Sequence, residues 1–153
     1  MIRIDIPQWG SIELRHAVFD VNGTLAVDGA PIPGVVERLK ALAESLSLHA
    51  LTAGTHGNLV ELERVLGLPL QIIGSGEEKT RYVEQLGPGS VIAFGNGRND
   101  VGMLRVAAIG VAILAGEGVA IGALQAADVL APGPVEAMDL VLHPKRLIAT
   151  LRG

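Results

Sequence analysis

The chain has 153 residues, a length that suits one domain built around a single hydrophobic core. Hydrophobic residues make up 49% of it and charged residues 18%, a composition that permits a large core and argues against disorder. The net charge is −4 and no basic run stands out, which argues against nucleic acid as a partner. Because cysteine is absent, disulfides, thiolate metal sites and cysteine nucleophiles are excluded.

The beginning of the chain, MIRIDIPQWG, lacks the apolar stretch of a signal peptide and is typical of a strand. No apolar run reaches the length that spans a bilayer, so no membrane partner is expected. These two observations favour a cytoplasmic protein.

The N-terminal region is predicted to form a β-hairpin. Residues 2–6 alternate between apolar and polar side chains, and residues 7–11 break the pattern with Pro7 and Gly10. A second extended run covers residues 12–21, and its end, AVFDV, is apolar enough to enter the core.

The rest of the chain alternates between helical periodicity and short apolar strands. Helices are predicted at residues 34–46, 59–66, 77–86, 100–107, 119–126, 134–142 and 145–151. Strands are predicted between them at residues 48–52, 70–73, 91–94, 109–114 and 128–130. Short continuous apolar strands that alternate with helices of this length indicate an α/β fold with a mainly parallel sheet covered on both faces.

Polar residues cluster where the predicted strands end, and in a parallel sheet these ends form the ligand crevice. Asp20 to Thr24, DVNGT, follow one buried strand, Thr52 ends the next, and residues 95–100, GNGRND, follow a third. Lys79 lies near a helix start. Taken singly, each has an ordinary alternative: a turn at Asp20, a cap at Thr52, a solvated lysine, and an N-cap at Asp100.

In this order, the segments resemble the four motifs of the haloacid-dehalogenase-like superfamily. DVNGT resembles motif I, LTAGT motif II, Lys79 motif III and GNGRNDVGML motif IV, and together they span nearly the whole chain. Within the superfamily, the chain resembles the small proteins called soluble P-type ATPases. The resemblance implies one domain over residues 1–153 with a Rossmann-like three-layer sandwich, a requirement for Mg²⁺, and an aspartyl-phosphate intermediate.

The resemblance also implies a role for each matching residue. Asp20 would be the nucleophile and a metal ligand, and the backbone carbonyl of Asn22 would be a second ligand. Asn96 and Asp100 would face the metal. The phosphoryl group would be held by Gly23, Thr52, Ala53, Lys79 and Asn99. This chemistry is coherent, because Mg²⁺ and Lys79 would offset the repulsion between a carboxylate and an anionic phosphoryl group.

Two positions depart from the superfamily pattern. Asn22 stands where its phosphatases carry the aspartate that acts as general acid and base, and Asn96 replaces the first acid of motif IV. An amide cannot carry the proton, and a neutral ligand should bind Mg²⁺ more weakly than a carboxylate does. Superfamily members that lack the second aspartate include transport ATPases, phosphonatases and dehalogenases.

The spacing between motifs leaves no room for a cap domain. One helix and one strand are predicted between Asp20 and Thr52, and a helix, a strand and a loop between Thr52 and Lys79. An open crevice excludes water poorly. A neighbouring subunit could serve as the cap, so we expect a homo-oligomer, with Trp9 in the hairpin turn as a candidate interface residue.

Three functions remain open from the sequence. The first is a Mg²⁺-dependent phosphohydrolase of low activity that acts on a phosphorylated small molecule or macromolecule. The second is a regulatory module that binds phosphate or is stably phosphorylated on Asp20. The third, hydrolytic dehalogenation, needs no metal and suits the polar loop from Asn96 to Asp100 less well.

The remaining polar candidates have simpler interpretations. His49 beside an apolar strand is expected to be structural, and His16 and His143 are expected at the surface. His56 is a candidate for the crevice wall. Arg98 is a candidate for steering an anionic substrate.

Overall fold

The computed structural model describes residues 1–54 and 57–153. The chain begins with an antiparallel hairpin of β1 (Ile2–Ile6) and β2 (Gly10–Leu14), in which Ile4 pairs with Ile12. The hairpin buries its apolar side, including Ile4 and Leu14, in the main hydrophobic core. The predicted hairpin is therefore present, and it forms a sheet of its own.

The centre of the fold is a parallel sheet whose six strands all lie in the described residues. Its strands are β3 (His16–Asp20), β6 (Ser47–Thr52), β7 (Leu70–Ile72), β8 (Val91–Gly95), β9 (Ile109–Ile113) and β10 (Val129–Ala131). They lie side by side in the order β10-β9-β8-β3-β6-β7. The predicted α/β fold with a mainly parallel sheet is confirmed.

Helices cover both faces of this sheet. They are α1 (Val35–Ala43), α2 (Leu59–Leu66), α3 (Gly76–Leu86), α4 (Val101–Val106), α5 (Ile121–Ala126), α6 (Pro134–Leu142) and α7 (Pro144–Leu151). One core contains buried residues of α1, α2, α6, α7 and the hairpin, and the other contains residues of α3, α4 and α5. Since neighbouring residues of a strand face opposite sides, Phe19 joins the first core and Val18 the second. The result is a three-layer sandwich.

The two phenylalanines of the chain join the central strands directly below the end of the sheet that carries Asp20. Phe19 of β3 pairs with Phe94 of β8, and their rings stack with centroids 4.6 Å apart. Both are fully buried. In a core built mostly from aliphatic side chains, this stacked pair adds a large apolar contact between the two strands that lead into the polar loops.

The strand order places a topological switch point between β3 and β8. From β3 the chain goes to β6 and β7 on one side, and then returns to β8 on the other side of β3. The connections that leave β3 and β8 therefore diverge, and a crevice opens at the carboxyl ends of these two strands. Asp20 ends β3 and residues 96–100 follow β8.

The structure differs from the sequence analysis in two local features. The extended run over residues 12–21 is not one arm of the hairpin, because the chain changes sheets at Arg15. The Arg15 N–H donates to the Ser90 carbonyl, and its own carbonyl accepts from Ser47, so Arg15 ties the start of the central sheet together. The sequence analysis also missed a small hairpin of β4 (Ala26–Val27) and β5 (Ala30–Pro31).

The intervals between the motif residues contain no inserted domain in the part of the chain that the structure describes. Between Asp20 and Thr52 lie the β4–β5 hairpin, α1 and most of β6, and between Thr52 and Lys79 lie α2 and β7. The expectation of a fold without a cap is confirmed. Separately, none of the described helices combines the length and apolar character that crossing a membrane requires.

Candidate active site

Strand register brings Asp20 and Thr52 to the same edge of the sheet. Asp20 pairs with Leu51 of the neighbouring strand, so Thr52 lies one residue beyond it in the direction of the crevice. The Val21 N–H donates to the Leu51 carbonyl at 3.1 Å and extends the pairing past the end of β3. Asp20 is only 6% exposed and Thr52 is fully buried.

The turn after Asp20 is closed by its own hydrogen bonds. Gly23 has a φ of 80°, and its N–H donates to the Ala26 carbonyl at 2.7 Å. This hydrogen bond uses the Gly23 N–H, and the predicted part of Gly23 in holding a phosphoryl group stays a prediction. Gly23 also provides space, because a Cβ atom there would lie 2.5 Å from Nδ2 of Asn96.

Lys79 lies between two carboxylates. Its helix, α3, begins at the N-cap Ser75, which accepts from the Glu78 N–H at 3.2 Å, and Lys79 and Val83 form the buried face. Its Nζ donates to Oδ1 of Asp20 at 2.8 Å and to Oδ1 of Asp100 at 2.9 Å. Because the side chain is fully buried, the alternative of a solvated lysine is wrong.

The charges of this triad perturb one another. Burial, followed by the nearby charge of Asp100, raises the pKa of Asp20 to about 7, although Lys79 opposes both effects. Burial alone would lower the pKa of Lys79, but the charges and hydrogen bonds of Asp20 and Asp100 outweigh it and raise that pKa. A lysine that stays charged beside a carboxylate with an elevated pKa can stabilise further negative charge at this point.

Asp100 is held from two directions. Its Oδ1 faces Lys79, and its Oδ2 accepts from the N–H groups of Asn96 and Gly97 at 3.0 and 2.9 Å. These two hydrogen bonds join the Asp100 carboxylate to the two residues that precede the 3-10 turn Arg98–Asp100. Asp100 therefore stabilises the start of that turn and also joins the site, but as the N-cap of α4 it makes no side-chain capping bond, so the simpler N-cap alternative does not account for it.

Asn96 lies beside the turn that follows Asp20. It is 8% exposed, its Nδ2 donates to the Gly118 carbonyl at 3.0 Å, and its amide packs against Gly23. Its Oδ1 is the amide atom left for a cation or a polar ligand. Arg98 and Asn99 are exposed, and no hydrogen bond joins the Asn99 side chain to Asp20 or Lys79 among the described residues.

Asn22 and Thr52 meet across the two strands. Nδ2 of Asn22 donates to Oγ1 of Thr52 at 3.3 Å, and the Gly54 N–H donates to the same oxygen at 3.2 Å. Ala53, which lies between Thr52 and Gly54 in the sequence, is half-buried and directly follows β6. The structure therefore brings together Asp20, Asn22, Thr52, Lys79, Asn96 and Asp100 at one end of the sheet.

The donors at this end of the sheet fit Mg²⁺. Asp20 and Asp100 supply carboxylate oxygens that already converge on one cation, the Lys79 ammonium, and Asn96 adds an amide oxygen. Mg²⁺ prefers such oxygen ligands and is typically held by one or two carboxylates while it keeps several waters. The described residues hold no cluster of three or more acidic, histidine or cysteine side chains, so an ion here would depend on those two carboxylates, neutral oxygens and water.

The sequence analysis missed Thr24. This residue is 1% exposed, and its hydroxyl donates to Oδ2 of Asp20 at 3.4 Å. Its place four residues after Asp20 in a turn with a glycine was a usable signal, since short turns return polar side chains to the residue that starts them. The Gly118 carbonyl, which holds Asn96, lies in a distant loop and carried no local signal.

The other polar candidates lie away from these contacts. His49 is structural as expected: its Nδ1 lies 2.8 Å from the Tyr82 hydroxyl and its Nε2 lies 3.1 Å from Nδ1 of His16. The surface prediction for His16 was wrong, because this contact half-buries it. His143 is exposed as expected. His56 lies outside the described residues.

Comparison with known proteins finds one family whose sequence model matches part of the chain. Residues 72–125 match the model of the haloacid dehalogenase-like hydrolase family, a segment that contains Lys79 and the loop from Asn96 to Asp100 but not Asp20 or Thr52. No curated protein matches the sequence. The resemblance to soluble P-type ATPases is not tested by these findings and stays a prediction.

Several solved structures share the fold. A magnesium- and phosphate-bound 3-deoxy-D-manno-octulosonate 8-phosphate phosphatase from Moraxella catarrhalis is 17% identical, with a TM-score of 0.68 over 91% of this chain and 94% of that one. The cobalt-bound deoxy-D-mannose-octulosonate 8-phosphate phosphatase from Haemophilus influenzae is 15% identical, with a TM-score of 0.69 over 86% of this chain and 88% of that one. A phosphoserine phosphatase in its apo form is 13% identical, with a TM-score of 0.67 over 86% of this chain and 99% of that one. The chain thus has the haloacid-dehalogenase-like fold, and just over a third of it, the part that carries Lys79 and Asp100, matches that hydrolase family in sequence.

Proposed function

We propose that this protein is a Mg²⁺-dependent phosphohydrolase or phosphotransferase of low intrinsic activity that uses Asp20 as its nucleophile. The observation that carries the proposal is the fully buried Lys79 ammonium between the carboxylates of Asp20 and Asp100 at the switch point of the sheet. Burial of three charged groups disfavours folding unless they are well paired, so such a cluster in a crevice is typical of a functional site.

In the first step, a carboxylate oxygen of Asp20 attacks the phosphorus atom while the bond from phosphorus to the leaving oxygen breaks. Lys79 lies beside Asp20 and stabilises the negative charge that both partners bring together. The Thr52 hydroxyl can hold a phosphoryl oxygen. Mg²⁺ bound at the carboxylates would supply further positive charge and align the phosphoryl group.

In the second step, water attacks the aspartyl phosphate, and the bond from phosphorus to the Asp20 oxygen breaks. This water must lose a proton, and the leaving oxygen of the first step must gain one. Asn22 lies at the expected position for such a proton carrier but has no titratable group. Both steps therefore depend on solvent, which favours leaving groups that need no proton, such as acyl phosphates and anhydrides.

A second function is supported by the same two amides. Asn22 and Asn96 leave Asp20 and Asp100 as the carboxylates of the site, and Asp100 is already bonded to Lys79 and to two N–H groups. A site with weak metal binding and no proton carrier suits a regulatory module that binds phosphate or stays phosphorylated on Asp20. Both functions use the same contacts at the site, and they differ in how fast water hydrolyses the aspartyl phosphate.

The substrate class follows from the open crevice. With no cap over the site in the described residues, a phosphorylated small molecule or a phosphorylated macromolecule could reach Asp20. Phosphatases of similar fold act on 3-deoxy-D-manno-octulosonate 8-phosphate and phosphoserine, which makes these compounds natural members of a test panel. We also propose a cytoplasmic location. We further propose a homo-oligomer in which a neighbouring subunit shields the crevice, with Trp9 as a candidate contact.

The experiment is phosphate release from a panel of phosphomonoesters, acyl phosphates and anhydrides, with Mg²⁺ and with a chelator. We expect Mg²⁺-dependent release that is lost in Asp20→Asn. Asp5→Asn, which removes an exposed carboxylate on the N-terminal hairpin, is the matched control and should keep full activity. Phosphate binding without turnover would favour the regulatory module, and neither binding nor turnover by the folded protein would contradict both functions.

A further inference from the structure

The hydroxyl of Thr52 accepts two hydrogen bonds. One comes from Nδ2 of Asn22 at 3.3 Å and the other from the N–H of Gly54 at 3.2 Å. The Thr52 side chain is fully buried, so bulk water does not compete for the hydroxyl. Strand register brings the two residues near each other, since Asp20 pairs with Leu51, Asn22 lies two places beyond Asp20, and Thr52 lies one place beyond Leu51.

A hydroxyl group has two lone pairs and one hydrogen. When two N–H donors occupy both lone pairs, the hydrogen must point in the remaining tetrahedral direction and needs an acceptor there. Among the described residues Thr52 Oγ1 is the acceptor in both of its hydrogen bonds, and none accepts its hydrogen. A phosphoryl oxygen in the crevice would meet this need.

We propose that Asn22 is a positioning residue that turns the Thr52 hydroxyl into a fixed donor toward the phosphoryl group. This inference rests on the proposed function, because it assumes that a phosphoryl group binds beside Asp20. It gives Asn22 a role of its own rather than that of an inert replacement. The amide strengthens phosphate binding, whereas the missing carboxylate slows turnover.

An aspartate at position 22 would reverse this hydrogen bond. An ionised carboxylate only accepts, so the Thr52 hydroxyl would donate to it and present a lone pair to the phosphoryl oxygen. The site would gain a proton carrier and lose a donor in one substitution. The two effects act on different quantities, kcat for the proton carrier and ground-state binding for the donor.

The test is the affinity for inorganic phosphate with Mg²⁺, measured by titration calorimetry on four proteins: wild type, Asn22→Asp, Thr52→Val, and the double variant. Asn22→Asp and Thr52→Val should each weaken binding about tenfold or more, as expected for loss of a hydrogen bond to a charged group. In the double variant, Asn22→Asp should cause little further loss, because no hydroxyl remains to be reversed.

The main competing explanation is repulsion between the new carboxylate and phosphate, which would act with or without the hydroxyl. Equal weakening by Asn22→Asp in both backgrounds would therefore overturn the inference. Asn22→Ala provides a neutral check that does not alter Thr52: it should weaken binding, but less than Asn22→Asp, because the hydroxyl is released and not reversed. Unchanged binding in Asn22→Ala would also overturn the inference.

The outcomes separate this inference from the proposed function. If the wild type binds phosphate and releases it from substrates but the effects of the two substitutions simply add, only the role of Asn22 fails. If the folded wild type neither binds phosphate nor turns over any substrate, the proposed function fails and this inference fails with it.

Discussion

The ammonium group of Lys79 lies 2.9 Å from Oδ1 of Asp100, and neither side chain is exposed to solvent. Lys79 belongs to α3 and Asp100 to the loop after β8. The contact ties a helix on one face of the sheet to the end of a central strand, and the second hydrogen bond of Lys79 extends the tie to Asp20 on the other central strand. Stability and the proposed catalysis therefore depend on the same ammonium group.

Lys79→Met should strongly destabilise the protein and abolish phosphate release. Removing one partner of a buried ion pair leaves its carboxylates without a counter-charge, which typically costs about 3–5 kcal/mol. Urea denaturation measures the change. Arg81→Met on the exposed side of the same helix removes a solvent-exposed pair with Glu77 and should change stability by about 0.5 kcal/mol or less.

The destabilisation by Lys79→Met should depend on pH in a defined direction. The pKa of Asp20 is already raised above its ordinary value of 3.8, and loss of Lys79 removes an influence that lowers it. A carboxyl group with a raised pKa in the folded state favours folding when protonated, so stability is lost as pH rises. The variant should therefore lose more stability at about pH 8 than at about pH 5. A larger loss at the lower pH would contradict the triad.

Gly95→Ala should disturb Asp100. A Cβ atom at position 95 would lie 2.6 Å from Cγ of Asp100, a distance at which one group must move. We expect a loss of about 1–3 kcal/mol, typical of overpacking in a core, together with reduced phosphate release. Gly89→Ala is the control, because an added Cβ there meets no atom within 4 Å. Equal stability of the two variants would show that Asp100 can move freely.

His49 should make the protein less stable in mild acid. Burial, and then the charge of His16, lower the pKa of His49 below its ordinary value of 6.5. The folded state therefore disfavours protonation of His49. The contribution of the neutral ring to the free energy of unfolding is complete above about pH 6.5. It declines as pH falls below that value, by at most about 1.4 kcal/mol per pH unit. Urea midpoints on both sides of this pH should show a weaker pH dependence in His49→Gln than in wild type. His143→Gln, which replaces an exposed histidine, should show the same pH dependence of the urea midpoint as wild type. The same pH dependence in His49→Gln would contradict the assignment of this effect to His49.

Asn22→Asp should raise kcat for p-nitrophenyl phosphate while it raises KM. The new carboxylate can take a proton from the attacking water, and general-base assistance of this kind contributes about 10²–10⁴-fold. The phosphoenzyme of the wild type should correspondingly persist longer than that of the variant. Steady-state phosphate release with Mg²⁺ measures both constants. An unchanged or lower kcat in a folded variant that still binds the metal would mean that proton transfer does not limit this site.

Much of the central sheet could be predicted, because continuous apolar strands separated by amphipathic helices identify a parallel sheet without knowledge of long-range contacts. The change of sheets at Arg15 could not. Residues 12–21 contain no glycine or proline, and the break depends on hydrogen bonds from Arg15 to Ser90 and Ser47, which are distant in sequence. The small β4–β5 hairpin did have a local signal, the pair Asp28-Gly29 with φ values of 51° and 78°, as a tight two-residue turn requires.

The candidate site was predictable to the extent that it follows strand ends. Asp20, Thr52 and Asp100 converge because parallel strands end at one edge of the sheet. The burial of Lys79 depends on the packing of α3 against the loop after β8, where Gly76 approaches the Asn99 carbonyl oxygen closely. The contact between Asn22 and Thr52 depends on register and rotamer, neither of which has a signature in a single sequence.

The central claim, that Asp20 accepts a phosphoryl group, is tested most directly by mass spectrometry of the protein after incubation with acetyl phosphate. With Mg²⁺ present, the wild type should gain the mass of one phosphoryl group, and peptide mapping should place it on Asp20. The adduct should be absent with a chelator and in Asp20→Asn, and it should persist in Asp5→Asn. A phosphoryl group mapped to another residue, or no adduct and no phosphate release from a folded wild type, would contradict the account.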